Sequence, residues 1–155
     1  NLAGLQLSYM LVPNPKLRQQ LKQEMNRLFL SPLNNFNIVA ASKAYEEGEA
    51  WLEQLLSYLH GNAEIVQERI QNVFPNVQLA DLQGTYLMWL DFRNYVKGAE
   101  ELRQWANHEA KVGFSQGLQF GNEGAGFLRM NIACPRSMLL EALDRMENAA
   151  QALIK

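Results

Sequence analysis

The spacing of hydrophobic and polar residues changes its period several times along this chain of 155 residues, and each change predicts a new element. Residues 5–12, LQLSYMLV, are apolar on both faces, which predicts a strand buried on both sides. A helix that Asn14 caps and that ends at Ser31-Pro32 is predicted next. Its apolar face consists of Leu17, Leu21, Met25 and Leu28.

Helical spacing also dominates the middle of the chain. Residues 34–41, NNFNIVAA, are predicted to form a loop that leads into a helix over roughly residues 41–59. Gly61-Asn62 interrupts the apolar spacing, which resumes at Ile65 and continues to Pro75. A bent helix and two successive helices both fit this pattern.

A strand period returns in residues 85–92, TYLMWLDF, and a helix is predicted over 98–110, with Leu102, Trp105 and Ala106 inward. A short strand at 112–115, a glycine-containing loop and a strand at 127–132 follow, and Ser137 is the predicted N-cap of the last helix. The buried face of that helix is Leu139, Leu143, Met146, Ala150 and Leu153. Because strands and helices alternate only loosely, the predicted fold is α+β with a small, mostly antiparallel sheet flanked by helices.

Composition and charge narrow the possible partners. Sixteen acidic residues against fourteen Lys and Arg give a net charge of -2 without a basic run, so no nucleic-acid or membrane partner is predicted. No apolar stretch of about 18 residues is present, so no membrane span is predicted either. The single cysteine, Cys134, cannot form an intrachain disulfide and indicates a cytoplasmic location.

Several features give only weak indications of chemistry. Five glycines lie between Gly113 and Gly126, but they lead into a strand, so a connecting loop is favoured over one that folds across a ligand. His60 and His108 have no partner at metal-ligand spacing, and no metal site is predicted. A cluster of glutamates at the start of a helix complements its dipole.

Arg129 is the strongest candidate for function. In FLRMNIACPRS, residues 127–137, strand alternation places Leu128, Met130 and Ile132 on a core face and Arg129 on the other face with Asn131. A guanidinium there can hold a carboxylate through parallel hydrogen bonds. The alternative is an internal ion pair, for instance with Asp91, and the residue pattern alone leaves both readings open.

The strand of Arg129 resembles the carboxylate-binding arginine strand of fold-type I pyridoxal-phosphate (PLP) enzymes, the aminotransferase class I/II superfamily. Within it, the chain is similar to the cystathionine β-lyase-type carbon–sulfur lyases over nearly its whole length. Four stretches carry that similarity: NLAGLQLSYMLVP, AYEEGEAWLEQLLSYLHGN, GTYLMWLDFR and FGNEGAGFLRMNIACPRS. The resemblance implies a chain that is the back part of a larger enzyme: 1–35 the tail of the large domain, a strand plus a helix, 36–75 a connecting helical segment, and 76–155 the small C-terminal domain.

The resemblance also assigns roles. Arg129 would bind the α-carboxylate of the substrate, and Asn131 and the turn Gly84-Thr85-Tyr86 would line the same cleft. The lysine that carries PLP would lie three residues before Asn1, so no catalytic residue is predicted in this chain; Lys16, Lys43 and Lys111 do not occupy that position. Residues 31–36 resemble a loop that approaches the neighbouring active site in family homodimers.

The implied activity of the complete enzyme is α,β-elimination of cystathionine or a related S-substituted cysteine to a thiol, pyruvate and ammonia. Two other functions remain open. One is an aminotransferase on the same fold, and the other is a binding module without catalysis. Because the PLP lysine would lie upstream, this chain alone is expected to be inactive.

Overall fold

A computed structural model describes residues 2–30 and 34–154, which divide into two compact units, Asn1–Gln54 and Leu55–Lys155. The first unit contains helix α1, Pro15–Arg27, helix α2, Asn35–Glu47, and the beginning of helix α3, Glu49–Val73. The boundary therefore falls within α3, and the predicted division at residues 35 and 75 stays a prediction.

The predicted strand over residues 5–12 is wrong for the described structure. Ala3–Leu5 forms a 3-10 turn, and residues 6–14 have no regular secondary structure. A strand requires a hydrogen-bonded neighbour, and no described strand pairs with this segment. None of the described residues of the first unit is fully buried, and Tyr9 instead contacts Tyr45 edge-on, with ring centroids 6.0 Å apart.

Helix α1 confirms the predicted cap. The Asn14 side-chain oxygen accepts hydrogen bonds from the backbone N–H groups of Lys16 and Leu17 at 3.0 and 3.2 Å, which satisfies donors that a helix start leaves unpaired. The helix ends at Arg27, and the predicted stop at Ser31-Pro32 lies outside the described residues.

The predicted loop over residues 34–41 is also wrong, because α2 begins at Asn35. Asn34 has an extended backbone and its side chain accepts from the Phe36 N–H at 2.8 Å, so it is an N-cap. The helical segment breaks at Gly48 rather than at Gly61. A Cβ at position 48 would lie 2.3 Å from the Ala44 carbonyl oxygen, so this close approach requires glycine.

The second unit is an antiparallel sheet packed against helices. Strands β1, Gln78–Leu79, β2, Leu87–Asp91, β3, Ser115–Gln116, and β4, Phe127–Asn131, are arranged in the order β1-β2-β4-β3. Helix α4, Ala99–Gln104, continues as a π turn, Trp105–Glu109, and α5 spans Arg136–Asn148. The small antiparallel sheet and the α+β class are confirmed, whereas the short third strand lies later than the predicted 112–115.

One face of the sheet belongs to the hydrophobic core. Met88 and Leu90 of β2 and Leu128 and Met130 of β4 are at most 4% exposed. They form one cluster with Ile132 and with apolar residues of α3, α4 and α5. These are Val66, Ile70, Leu102, Leu139, Leu143 and Met146. The predicted inward faces of α5 and of residues 98–110 are therefore confirmed.

The N-cap of helix α5 lies two residues earlier than predicted. Pro135 is the N-cap residue, and Ser137 lies within the first turn, so its predicted capping role is wrong. The first free N–H of the helix, that of Arg136, donates to the Tyr58 hydroxyl at 2.7 Å. A tyrosine 78 residues away thus supplies the acceptor that a capping side chain would otherwise provide.

The described part of the chain has neither a helix suited to crossing a membrane nor a metal-binding cluster. Within residues 2–30 and 34–154, no helix is both long and apolar enough for a membrane span. In the same ranges, no three His, Cys, Asp or Glu side chains gather in a way that could hold a metal ion.

Candidate functional site

The candidate site lies on the face of the sheet opposite the core, with Arg129 at its centre. Arg129 occupies the middle of β4 and pairs across the sheet with Trp89 of β2 on one side and Ser115 of β3 on the other. Directly opposed residues in an antiparallel pair project from the same face. Three strands therefore bring Arg129, Trp89 and Ser115 together, as the alternation in β4 requires.

The Arg129 guanidinium is only partly satisfied by the protein. Its Nη2 donates to Ser115 Oγ at 3.1 Å, and its Cζ lies 4.4 Å from the centroid of the Phe120 ring. Its Nε is buried without any hydrogen-bond acceptor among the described residues. Leaving a buried donor unpaired costs about 1–3 kcal/mol, and more for a charged group. Such an arrangement marks a site whose acceptor is not among these residues.

Asp91 does not supply that acceptor. Its carboxylate receives hydrogen bonds from Arg93 instead, from Nε at 2.9 and 3.0 Å and from Nη2 at 2.6 Å. This contact holds the pKa of Asp91 below its usual value, because the guanidinium stabilises the charged form. The internal ion pair between Arg129 and Asp91 is therefore absent, and no described carboxylate forms another with Arg129.

Asn131 and the Gly84-Thr85-Tyr86 turn lie at the end of the sheet where β4 stops. Asn131 is exposed on the same face as Arg129, and its side-chain oxygen accepts from the Ala133 N–H at 2.8 Å. Thr85 has a φ of 66°, which is strained for a β-branched residue, and the Tyr86 carbonyl accepts from the Ile132 N–H at 3.0 Å. Their predicted roles in substrate binding stay predictions.

The glycine-containing loop positions Phe120 over Arg129. Residues Gly117–Phe120 and Asn122–Gly124 form two 3-10 turns that pack backbone to backbone. A Cβ at Gly117 would lie 2.2 Å from the Gly124 carbonyl oxygen, and one at Gly124 would lie 2.1 Å from that of Gly117. The glycines thus permit a tight closure of the loop rather than a phosphate cradle.

A buried amide fixes the chain just after β4. Asn62 is fully buried, donates to the Ile132 carbonyl at 2.9 Å and accepts from Arg136 Nε at 3.0 Å. Gly61 leaves room for this arginine, because a Cβ there would lie 2.8 Å from Arg136 Nη2. The Gly61-Asn62 step therefore does not break α3, which continues through it. At this step, the Asn62 side chain links α3 to the residues that follow β4.

Sequence reasoning missed Phe120, Ser115 and Asn62. No spacing rule connects Phe120 or Ser115 with Arg129, because the contacts form through the loop closure and the register of β3. Asn62 did carry a signal, since a Gly-Asn step inside an otherwise regular helical pattern indicates a packing requirement. The sequence pattern alone shows this step only as an interruption of the apolar spacing, which fits a bent helix or two successive helices.

Solved structures show which class of protein this fold resembles. A PLP-bound candidate aminotransferase from Clostridium difficile 630 is 40% identical and matches with a TM-score of 0.88, over 96% of this chain and 38% of that one. Cystalysin from Treponema denticola, whose structure contains a pyridoxal 5'-phosphate cofactor, is 28% identical with a TM-score of 0.90, over 97% and 38%.

A curated relative narrows the resemblance. The cystathionine beta-lyase PatB of Bacillus subtilis (strain 168) is 32% identical over 149 residues, which is 96% of this chain and 38% of the relative. No protein-family model matches the chain. The resemblance to the fold-type I PLP-dependent enzymes and, within them, to the cystathionine β-lyase-type carbon–sulfur lyases is therefore confirmed. It spans about 38% of the length of the relatives that it matches.

Proposed function

We propose that this chain is the C-terminal part of a PLP-dependent carbon–sulfur β-lyase and that Arg129 binds the α-carboxylate of its amino-acid substrate. The reaction consumes an S-substituted cysteine such as cystathionine and one water, and releases a thiol, pyruvate and ammonia. The observation that supports the carboxylate role is the guanidinium itself. Of its three nitrogens, only Nη2 has a hydrogen-bond partner among the described residues.

The chemistry at that site is recognition and orientation. A carboxylate that approaches Arg129 meets a planar cation with fixed N–H directions, so both its position and its rotation are restricted. The carboxylate also supplies the hydrogen-bond acceptor that Arg129 Nε lacks among the described residues. Because the C–H bond that is broken lies on the α-carbon next to the carboxylate, and the C–S bond lies on the following β-carbon, holding the carboxylate determines how both bonds face the catalytic groups. Arg129 positions the substrate and transfers no proton.

The resemblance assigns the attachment of PLP to none of the lysines in this chain. Lys43 forms an ion pair with Glu47 at 2.5 Å, and Lys16 is exposed in the first turn of α1. In such enzymes PLP, when bound, accepts the electrons of the bond that is broken at the α-carbon. We derive no step of that chemistry from this chain, whose contribution is the carboxylate site. The resemblance to family homodimers and the single cysteine support a cytoplasmic homodimer for the complete protein.

Product analysis of the complete protein tests this proposal. With cystathionine as substrate we expect pyruvate and ammonia in equal amounts to the thiol. An amino-acid substrate whose α-carboxylate is replaced by a carboxamide should react poorly, because the amide carries no charge for Arg129. Efficient turnover of the carboxamide would contradict the role of Arg129.

An aminotransferase is the second candidate, because the structure from Clostridium difficile at 40% identity is described as one. Transamination would yield a keto acid that retains the side chain, and only in the presence of an amino acceptor. Detection of that product without pyruvate would select this function. A protein with neither product but with measurable amino-acid affinity would instead be a binding module.

A further inference from the structure

We propose that Phe120, with Ser115, is a positioning residue that fixes the orientation in which Arg129 meets a carboxylate. The proposal rests on the proposed function, because it concerns how the same site is preorganised. No role for either residue follows from the sequence pattern. The relevant observation is that, among the described residues, the guanidinium has one hydrogen-bond partner, the Ser115 hydroxyl, and one cation–π partner, the Phe120 ring.

These two contacts restrict different motions of the guanidinium. The ring of Phe120 lies at 4.4 Å from Cζ, so a planar cation on it is held by the negative face of the ring and by dispersion. Ser115 Oγ accepts from Nη2 at 3.1 Å and fixes one end of the plane. Without them, the long arginine side chain would sample several rotamers, and ordering it on binding would cost affinity.

Phe120 is itself held in place by its neighbours. Its ring contacts Trp89 edge-on, with centroids 5.2 Å apart and an interplanar angle of 78°. The backbone that carries it is closed by the contact of Gly117 with Gly124. Trp89 is also the cross-strand partner of Arg129. The Phe120 ring beside the cation is therefore supported by a second ring, that of Trp89. Phe120 belongs to the loop and Trp89 to β2.

The same face of the sheet offers a matched control. Arg93 lies over the ring of Phe127, with Cζ 4.7 Å from the centroid, and Phe127 also contacts Trp89 at 6.3 Å. Arg93 already has its carboxylate in Asp91. Replacing Phe127 thus removes an arginine–aromatic contact of similar geometry that does not involve Arg129.

The experiment compares Phe120→Leu, Phe120→Tyr and Phe127→Leu in the complete PLP-bound protein. The Kd of a carboxylate-bearing amino-acid inhibitor and of its carboxamide are measured by calorimetry, and KM and kcat by pyruvate release. For Phe120→Leu we expect the inhibitor Kd and the KM to rise about 5- to 30-fold, the loss of one cation–π contact. The carboxamide Kd should stay unchanged. Phe120→Tyr should restore the wild-type values.

Different outcomes separate this inference from the proposed function. If Arg129→Gln, which removes the positive charge, abolishes the preference for carboxylate over carboxamide and Phe120→Leu keeps it, the positioning role of Phe120 is wrong and the carboxylate site stands. Equal weakening of both ligands by Phe120→Leu, or an equal effect of Phe127→Leu, also overturns the inference, because it indicates general loss of structure. If Arg129→Gln leaves the preference intact, the proposed function of Arg129 fails first.

Discussion

Asp91 and Arg93, two residues apart, form a hydrogen-bonded ion pair with Arg93 Nη2 at 2.6 Å from Asp91 Oδ2. This local pair removes from the sheet face the carboxylate that was the best internal partner for Arg129. The consequence is a face with two arginines: Arg93 is neutralised, and Arg129 has a buried Nε that lacks a hydrogen-bond partner among residues 2–30 and 34–154. The difference between the two arginines is the physical basis on which we propose Arg129, and not Arg93, as the carboxylate-binding residue.

Replacement of Arg129 should weaken substrate capture and leave the cofactor in place. For Arg129→Ala in the complete enzyme we expect kcat/KM to fall roughly 150- to 4,000-fold, which corresponds to about 3–5 kcal/mol, because a buried carboxylate loses its charged partner. The absorbance of bound PLP should be nearly unchanged. Wild-type kinetics in this variant would return Arg129 to a structural role.

The 155-residue chain prepared alone should neither attach PLP covalently nor release pyruvate from cystathionine. The resemblance implies an attachment lysine before Asn1, and we predict that no lysine of this chain replaces it. Mass spectrometry after borohydride reduction and a pyruvate assay test both parts. A reduced PLP adduct on any lysine of this chain, together with lyase activity, would contradict the prediction.

Asn62→Ala should destabilise the protein more than most single substitutions do. It leaves the Ile132 carbonyl without its donor and Arg136 Nε without its acceptor, in a fully buried position. We expect a loss of about 2–4 kcal/mol in the free energy of unfolding by urea. His60→Ala on the same helix is the control, since that side chain is 77% exposed. Equal effects of the two changes would show that Asn62 is not an anchor.

Gly117→Ala should disturb the loop that carries Phe120. The added Cβ would lie 2.2 Å from the Gly124 carbonyl oxygen and 2.7 Å from Phe127 Cβ, so the two turns must separate. We expect a loss of stability of about 1–3 kcal/mol and a higher KM. Gly113→Ala, where a Cβ meets no atom within 4 Å, should change neither quantity. A neutral Gly117→Ala would mean that the close packing of the turns is not needed.

Acid should weaken the protein partly through Asp91. Arg93 lowers the pKa of Asp91 in the folded state. The stability that the ionised Asp91 contributes is therefore fully present above its unfolded pKa of about 3.9. It is lost as the pH falls through the lower pKa of the folded state. Asp91→Asn should therefore lower the urea midpoint near neutral pH and make it less sensitive to acid below about pH 4. Parallel pH curves for variant and wild type would exclude this contribution.

The sequence by itself determined the periodic elements of the second unit and the two faces of β4. Alternation in residues 127–132 is enough to separate Leu128, Met130 and Ile132 from Arg129, because side chains of a strand point to opposite faces. Helical spacing predicted in the same way the buried faces of α5 and of residues 98–110. The strand at residues 5–12 shows its limit: an apolar period cannot state whether a neighbouring strand is available for pairing.

Only the tertiary structure decided which groups meet at the site. The room that Gly61 leaves is occupied by Arg136, and Asp91 is not a partner of Arg129 because Arg93 binds it. The contact with Phe120 depends on loop closure. Local spacing encodes which face a residue occupies, whereas these contacts depend on rotamers, on strand register and on residues up to 78 positions apart. Those quantities are fixed by packing in three dimensions and leave no regular period in the chain.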